Sequence, residues 1–130
     1  MAETPIRVVL ADDHAPYRYA LGAVLAAHGR LEVVGEAPDG RGAIALIRAR
    51  RPEVALIDAM MAPMDGFQVC RSLRSSATCV ILLSAYEDSE LVMRGRAAGA
   101  AGYLSKGMSN DALCMAVLKV ARGGTCFETV

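Results

Sequence analysis

At 130 residues, 54% hydrophobic and 22% charged, the chain is long enough for one packed core and too apolar for intrinsic disorder. Fourteen basic residues balance fourteen acidic ones, so no net field draws it to nucleic acid or an anionic membrane. Neither is an expected direct partner.

Apolar runs alternate with helical patterns from end to end. "IRVVLA" (Ile6 to Ala11) is a β-branched first strand, stopped by acids. Tyr17, Leu21, Val24, Leu25 and His28 then recur on one helix face, with Pro16 suited to the first turn and Asp12 or Asp13 placed to cap it or to lie near its positive end. "LEVVGEA" is the second strand, followed by a helix from about Gly40 through "AIALIRAR". The basic "RARR" (Arg48, Arg50, Arg51) reads as that helix's solvated end. "EVALI" is the third strand, and Gly66 opens a helix with Phe67, Cys70 and Leu73 facing inward. "CVILLSA" is the fourth and most apolar strand. The acidic "EDSE", which includes Glu87, begins a helix through Ala98, and "AAGYLS" is a short fifth strand. The last helix runs from about Ser109 to Arg122, with Leu113, Ala116, Val117 and Val120 inward and Gly123-Gly124 as its stop.

Strands that read as continuous apolar runs are buried on both faces, as in a parallel sheet covered by helices. Right-handed crossovers make such an arrangement doubly wound. The expected fold is α/β, with five strands, five helices and one domain over residues 1–130. The four cysteines (Cys70, Cys79, Cys114, Cys126) form no CxxC pair and have no partnering histidines, so they read as thiols in a reducing compartment. No signal-like opening and no membrane-spanning apolar run occurs, which makes a soluble, cytoplasmic protein the expectation.

In a doubly wound sheet the functional crevice lies outside the carboxyl ends of the strands. Strand one ends in Asp12 and Asp13, strand three in Asp58, strand four in Ser84, and strand five leads to Lys106. Any one of these acids alone reads as a cap or turn residue; the set of five does not. Three converging carboxylates repel one another, and a hard cation such as magnesium relieves them. Magnesium, a lysine and a hydroxyl together suit a phosphoryl group, whose transfer depends on positioning and electrostatics. Asp58 is the candidate nucleophile, because a carboxylate can form an acyl-phosphate. His14 reads as an exposed helix-start residue, since magnesium has little affinity for imidazole.

"VVLADDH", "LIDAMMAPMDG", "ILLSAYED" and "AAGAAGYLSKG" together resemble the receiver domain of bacterial two-component response regulators, over essentially the whole chain. The wording is most similar to the branch usually joined to a LuxR-type helix-turn-helix output domain. The resemblance implies a flavodoxin-like fold with strand order 2-1-3-4-5. It implies that Asp58 accepts a phosphoryl group from a sensor histidine kinase, and that Asp13, Asp58 and the backbone carbonyl of Met60 hold Mg2+, with Asp12 acting mainly through water. Lys106 would contact the phosphoryl group and, before transfer, the carboxylate. Ser84 would move toward the phosphoryl oxygens and Tyr103 rotate inward behind it, switching the strand-four and strand-five face. The implied activity is confined to the chain's own phosphorylation and dephosphorylation. Dimerisation on phosphorylation and control of transcription in a longer protein follow from the same resemblance.

The chain departs from the family pattern in two places. Ala62 stands where a proline is usual, and Pro63 comes one later, which constrains Ala62 in place of Met61. Gly107 follows Lys106 where many receivers have proline, so a trans bond is expected there. Met60 and Tyr86, two residues beyond Asp58 and Ser84, stand at positions that the resemblance implies flank the path of an attacking water, and neither side chain suits orienting it.

An alternative use of the same fold is a phosphorylation-independent interaction module. A dehalogenase-type phosphatase is excluded, because its acids stand as Asp-x-Asp on the first strand. Flavin binding is excluded too, because two acids after strand one repel an unbridged phosphate. No basic helix-turn-helix follows "ARGGTCFETV", so nothing in these residues reads DNA.

Overall fold

The computed structural model describes residues 4–86 and 88–127. Strands β1 (Ile6–Ala11), β2 (Leu31–Ala37), β3 (Val54–Asp58), β4 (Cys79–Ser84), β5 (Gly102–Ser105) and β6 (Cys126–Phe127) form one parallel sheet in the order 2-1-3-4-5-6. Helices α1 (Ala15–Ala27), α2 (Gly40–Arg50), α3 (Gly66–Ser72), α4 (Ser89–Ala98) and α5 (Asn110–Ala121) connect them.

Alternation along the strands builds two cores. Val8, Leu10, Val54, Leu56, Ile81, Leu83 and Leu104 face α1 and α5, meeting Leu21, Leu25, Leu113 and Val117. Val9, Ala55, Ile57, Val80, Leu82 and Tyr103 face the other way, meeting Ile47 of α2, Phe67 and Val69 of α3, and Ala98 of α4. Both faces of the sheet are therefore dry, which is why its strands carry no polar alternation.

Three details differ from expectation. The sheet has six strands, not five: Cys126 pairs with Gly102 and Phe127 with Tyr103. Gly102 makes this possible, since a Cβ there would lie 2.3 Å from Cys126 Sγ. Neither Asp12 nor Asp13 caps α1, whose N-cap is His14 without a side-chain cap bond. Finally, α4 begins at Ser89 with Asp88 as its cap, while Glu87 lies outside the described residues.

The other helix starts follow sequence logic. Asp39 accepts from Gly42 N at 2.7 Å to cap α2, and Ser109 accepts from Ala112 N at 3.1 Å to cap α5. Among the described residues, one cis peptide bond joins Ala62 to Pro63, and the Lys106–Gly107 bond is trans as expected. No helix among them is long and apolar enough to cross a membrane.

Candidate functional site

Parallel strands deliver their carboxyl ends to one rim. Ala11 of β1 pairs with Ile57, Asp58 of β3 with Leu83, and Ser84 of β4 with Ser105. The residues at or just beyond those positions are therefore neighbours. Asp12, Asp13 and Asp58 each present a carboxylate oxygen, all within 4.8 Å of one another. Asp12 and Asp58 are buried and Asp13 is exposed.

Local turns aim the two buried acids. Asp12 Oδ1 accepts from His14 N at 2.8 Å, and Asp58 Oδ1 accepts from Met60 N at 3.1 Å. Each is a side chain bonded to the backbone two residues on, which holds the carboxylate at the start of its loop. The opposite oxygens face Lys106. Its Nζ donates to Asp12 Oδ2 at 2.7 Å and lies 3.5 Å from Asp58 Oδ2. The lysine thus sits between both buried acids, nearer to Asp12 than to the Asp58 carboxylate that the family resemblance pairs it with. Its main chain is anchored as well, since Lys106 N donates to Ser84 O at 2.8 Å.

The electrostatics follow from this crowding. Burial raises the Asp58 carboxyl above the usual range, and the Asp12 and Asp13 charges raise it further; the Met60 N–H and Lys106 oppose them without cancelling them. Burial works against the Lys106 ammonium, but its hydrogen bond to Asp12 and the charge of Asp58 outweigh that effect and raise its pKa. One ammonium among three carboxylates leaves negative charge in excess. The donor set, all oxygen with two buried anions and one exposed, fits a hard divalent cation.

Ser84 is fully buried and its Oγ accepts from Tyr86 N at 3.0 Å. Tyr103 is already inward, its ring stacked on Phe67 with centroids 6.3 Å apart and its edge beneath Gly95 of α4. The Tyr103 hydroxyl is buried beside Ser84 without a well-formed hydrogen bond among the described residues. His14 is exposed, as expected of a helix-start residue.

Two residues at this rim were not legible in the sequence. Tyr17, read as a helix-face residue, places its ring 4.6 Å from Lys106 Nζ. Arg18 is buried; its Nη1 donates to Asp12 O at 2.6 Å and its Nε lies 3.4 Å from Glu36 Oε1. Helical spacing puts Arg18 beside the inward Tyr17 and Leu21, and nothing in an isolated arginine signals burial.

Known proteins show the same arrangement of elements. Residues 8–118 match the family model of the response regulator receiver domain. The Mycobacterium tuberculosis transcriptional regulatory protein NarL is 42% identical over 120 residues, covering 91% of this chain and 56% of that protein. The DNA-binding transcriptional activator DevR/DosR of the same species is 37% identical over 126 residues, covering 95% of this chain and 58% of that protein. The chain thus spans a little over half the length of these relatives. The solved signal receiver domain of M. tuberculosis NarL superposes with a TM-score of 0.90 at 41% identity, covering 93% of this chain and 99% of that one. From the strand-end acids to the overall topology, the chain belongs to the response regulator receiver domain family.

Proposed function

We propose that Asp58 is a phosphoacceptor whose charge state switches the face formed by β4, β5 and α4. The observation that carries this reading is the meeting of Asp12, Asp13, Asp58 and Lys106 at one rim, with Asp58 on the last position of a buried central strand. An Asp58 carboxylate oxygen attacks the phosphorus of a phosphohistidine on a sensor histidine kinase. The P–N bond breaks, and the imidazole leaves with the electron pair and takes a proton. Asp13, Asp58 and the Met60 carbonyl would hold magnesium directly and Asp12 through water; the ion supplies positive charge to the phosphoryl oxygens. Lys106 supplies a second positive charge from the β5 side. The activity is the chain's own phosphorylation and dephosphorylation, not turnover of a separate substrate.

A phosphoryl group of roughly −1.5 to −2 charge recruits hydroxyl and ammonium donors toward it. Ser84 exchanges its bond from Tyr86 N for one to the phosphoryl oxygens; Tyr103, already inward, needs no rotation and lies against the space that Ser84 leaves. Helix α4 is suited to respond, because its only buried residues are Gly95 and Ala98. In the full-length protein the altered face would drive homodimerisation and transcription regulation by an attached output domain, in the cytoplasm.

Incubation with acetyl phosphate and magnesium tests the reading by intact mass. The expected result is gain of one phosphoryl group, abolished by Asp58→Asn and by chelation. An unchanged mass under these conditions would favour the phosphorylation-independent module instead.

A further inference from the structure

The arrangement around Lys106 has a part that neither acid explains. Two anions draw the ammonium inward, yet lysine carries a flexible four-carbon stem that reaches many positions. A cavity of about 150 Å³ lined by Leu21, Val24, Met108 and Leu113, among others, runs beside that stem and leaves it room to swing. The Tyr17 ring centroid stands 4.6 Å from the same Nζ that meets the two carboxylates. An aromatic face attracts a cation through its quadrupole, most strongly where water is excluded.

We propose that Tyr17 is a positioning residue for Lys106: its ring face holds the ammonium toward Asp12 and Asp58, so that the charge meets the incoming phosphoryl group. The role assigned to Tyr17 acts on the reacting atoms through Lys106. An ordinary packing role for Tyr17 requires bulk and an apolar surface, which leucine also supplies. A positioning role requires the π face. The inference rests on the phosphoacceptor reading for its purpose, while the contact itself is observable without phosphorylation.

Lys106 and Lys119 are the chain's two lysines, so lysine labelled with 13C yields two ε-methylene signals. The Lys106 signal is expected to be shifted upfield by the Tyr17 ring current, to return to the ordinary position in Tyr17→Leu, and to stay shifted in Tyr17→Phe. The rate of Asp58 labelling by phosphoramidate with magnesium is expected to fall roughly five- to thirtyfold in Tyr17→Leu. Tyr17→Phe, which keeps the ring, should rescue it. In a Lys106→Ala background, Tyr17→Leu should cause no further fall, because the residue it positions is gone. The proposal is overturned by an unshifted lysine signal in the wild type, by a Tyr17→Leu rate equal to wild type, or by an equal loss in the Lys106→Ala background. A wild type with a shifted lysine signal but no labelling overturns the phosphoacceptor reading and, with it, the purpose assigned to Tyr17.

Discussion

Asp58 occupies a place where burial raises its carboxyl above the usual carboxylate range. It is buried at a strand end with Asp12 and Asp13 as neighbours, and the Lys106 ammonium is shared with Asp12. Ionisation there opposes folding, so Asp58→Asn is expected to stabilise the metal-free protein at neutral pH by about 1 kcal/mol. Urea unfolding checks this, and a loss of stability would mean that the Lys106 pairing outweighs burial and repulsion. Met60 and Tyr86 shape the rim differently. Their backbone N–H groups hold Asp58 and Ser84, while both side chains are exposed, Met60 at 43% and Tyr86 at 65%. Neither side chain suits the orienting of an approaching water, so a phosphoryl group placed on Asp58 is expected to be long-lived. Met60→Asn should shorten its half-life severalfold, as followed by loss of the added mass. A wild-type label that decays as fast as the variant's would remove the role assigned to Met60.

At the scale of elements, the segment from Asp58 to α3 shows what a local motif does and does not reveal. The pair Asp65-Gly66 places a second acid close to Asp58 in sequence, yet Asp65 is a cap. Its Oδ1 accepts from Gln68 N at 2.9 Å while Gln68 Oε1 accepts from Asp65 N at 2.9 Å, a reciprocal capping box. Gly66 matters for another reason: a Cβ there would lie 2.5 Å from Asp58 O and 2.9 Å from Ala59 Cα. The start of α3 therefore rests directly on the end of β3. Gly66→Ala is expected to destabilise the fold by about 2 kcal/mol and to slow Asp58 labelling, because the added methyl must push the strand end away. Denaturation midpoints and labelling rates on the same variant check both halves. Helix α4 is held mostly at its edges. Arg74 donates to the carbonyls of Ala97 and Ala98, Arg94 stacks over Phe67, and Arg96 stacks over Phe127. Those contacts link α4 to α3 on one side and to β6 on the other. None was visible in the sequence, where nothing in its local pattern marks any of these arginines as a contact between elements.

For the molecule as a whole, the dry double-sided core sets how stability depends on pH. Cys70 lies within it, 2% exposed, and burial pushes its thiol from an ordinary value near 9 to about 11. A raised folded-state value means that the unfolded chain releases this proton first. The contribution of Cys70 is therefore intact below about pH 9 and lost as pH rises through about 11. Stability of the wild type should fall more steeply between pH 8 and pH 11 than that of Cys70→Ala, as measured by urea unfolding across that range. Equal slopes would show that Cys70 ionises freely in the folded state. The same core explains how legible the fold was. Continuous apolar strands and 3.6-residue helix faces are local patterns, and each names its own element without reference to the rest. The gathering of the strand-end residues was legible too, because a parallel sheet brings all carboxyl ends to one rim whatever the details of packing. The placement of Asp12, Asp13, Asp58, Ser84 and Lys106 at one rim therefore followed from the sequence. That Lys106 leans to Asp12, that Tyr17 backs it, that Arg18 is buried, that Tyr103 points inward and that β6 joins the sheet at Gly102 depended on tertiary structure. These are contacts between elements distant in the chain, decided by the register and approach of packed surfaces, and no periodicity within a single element encodes them.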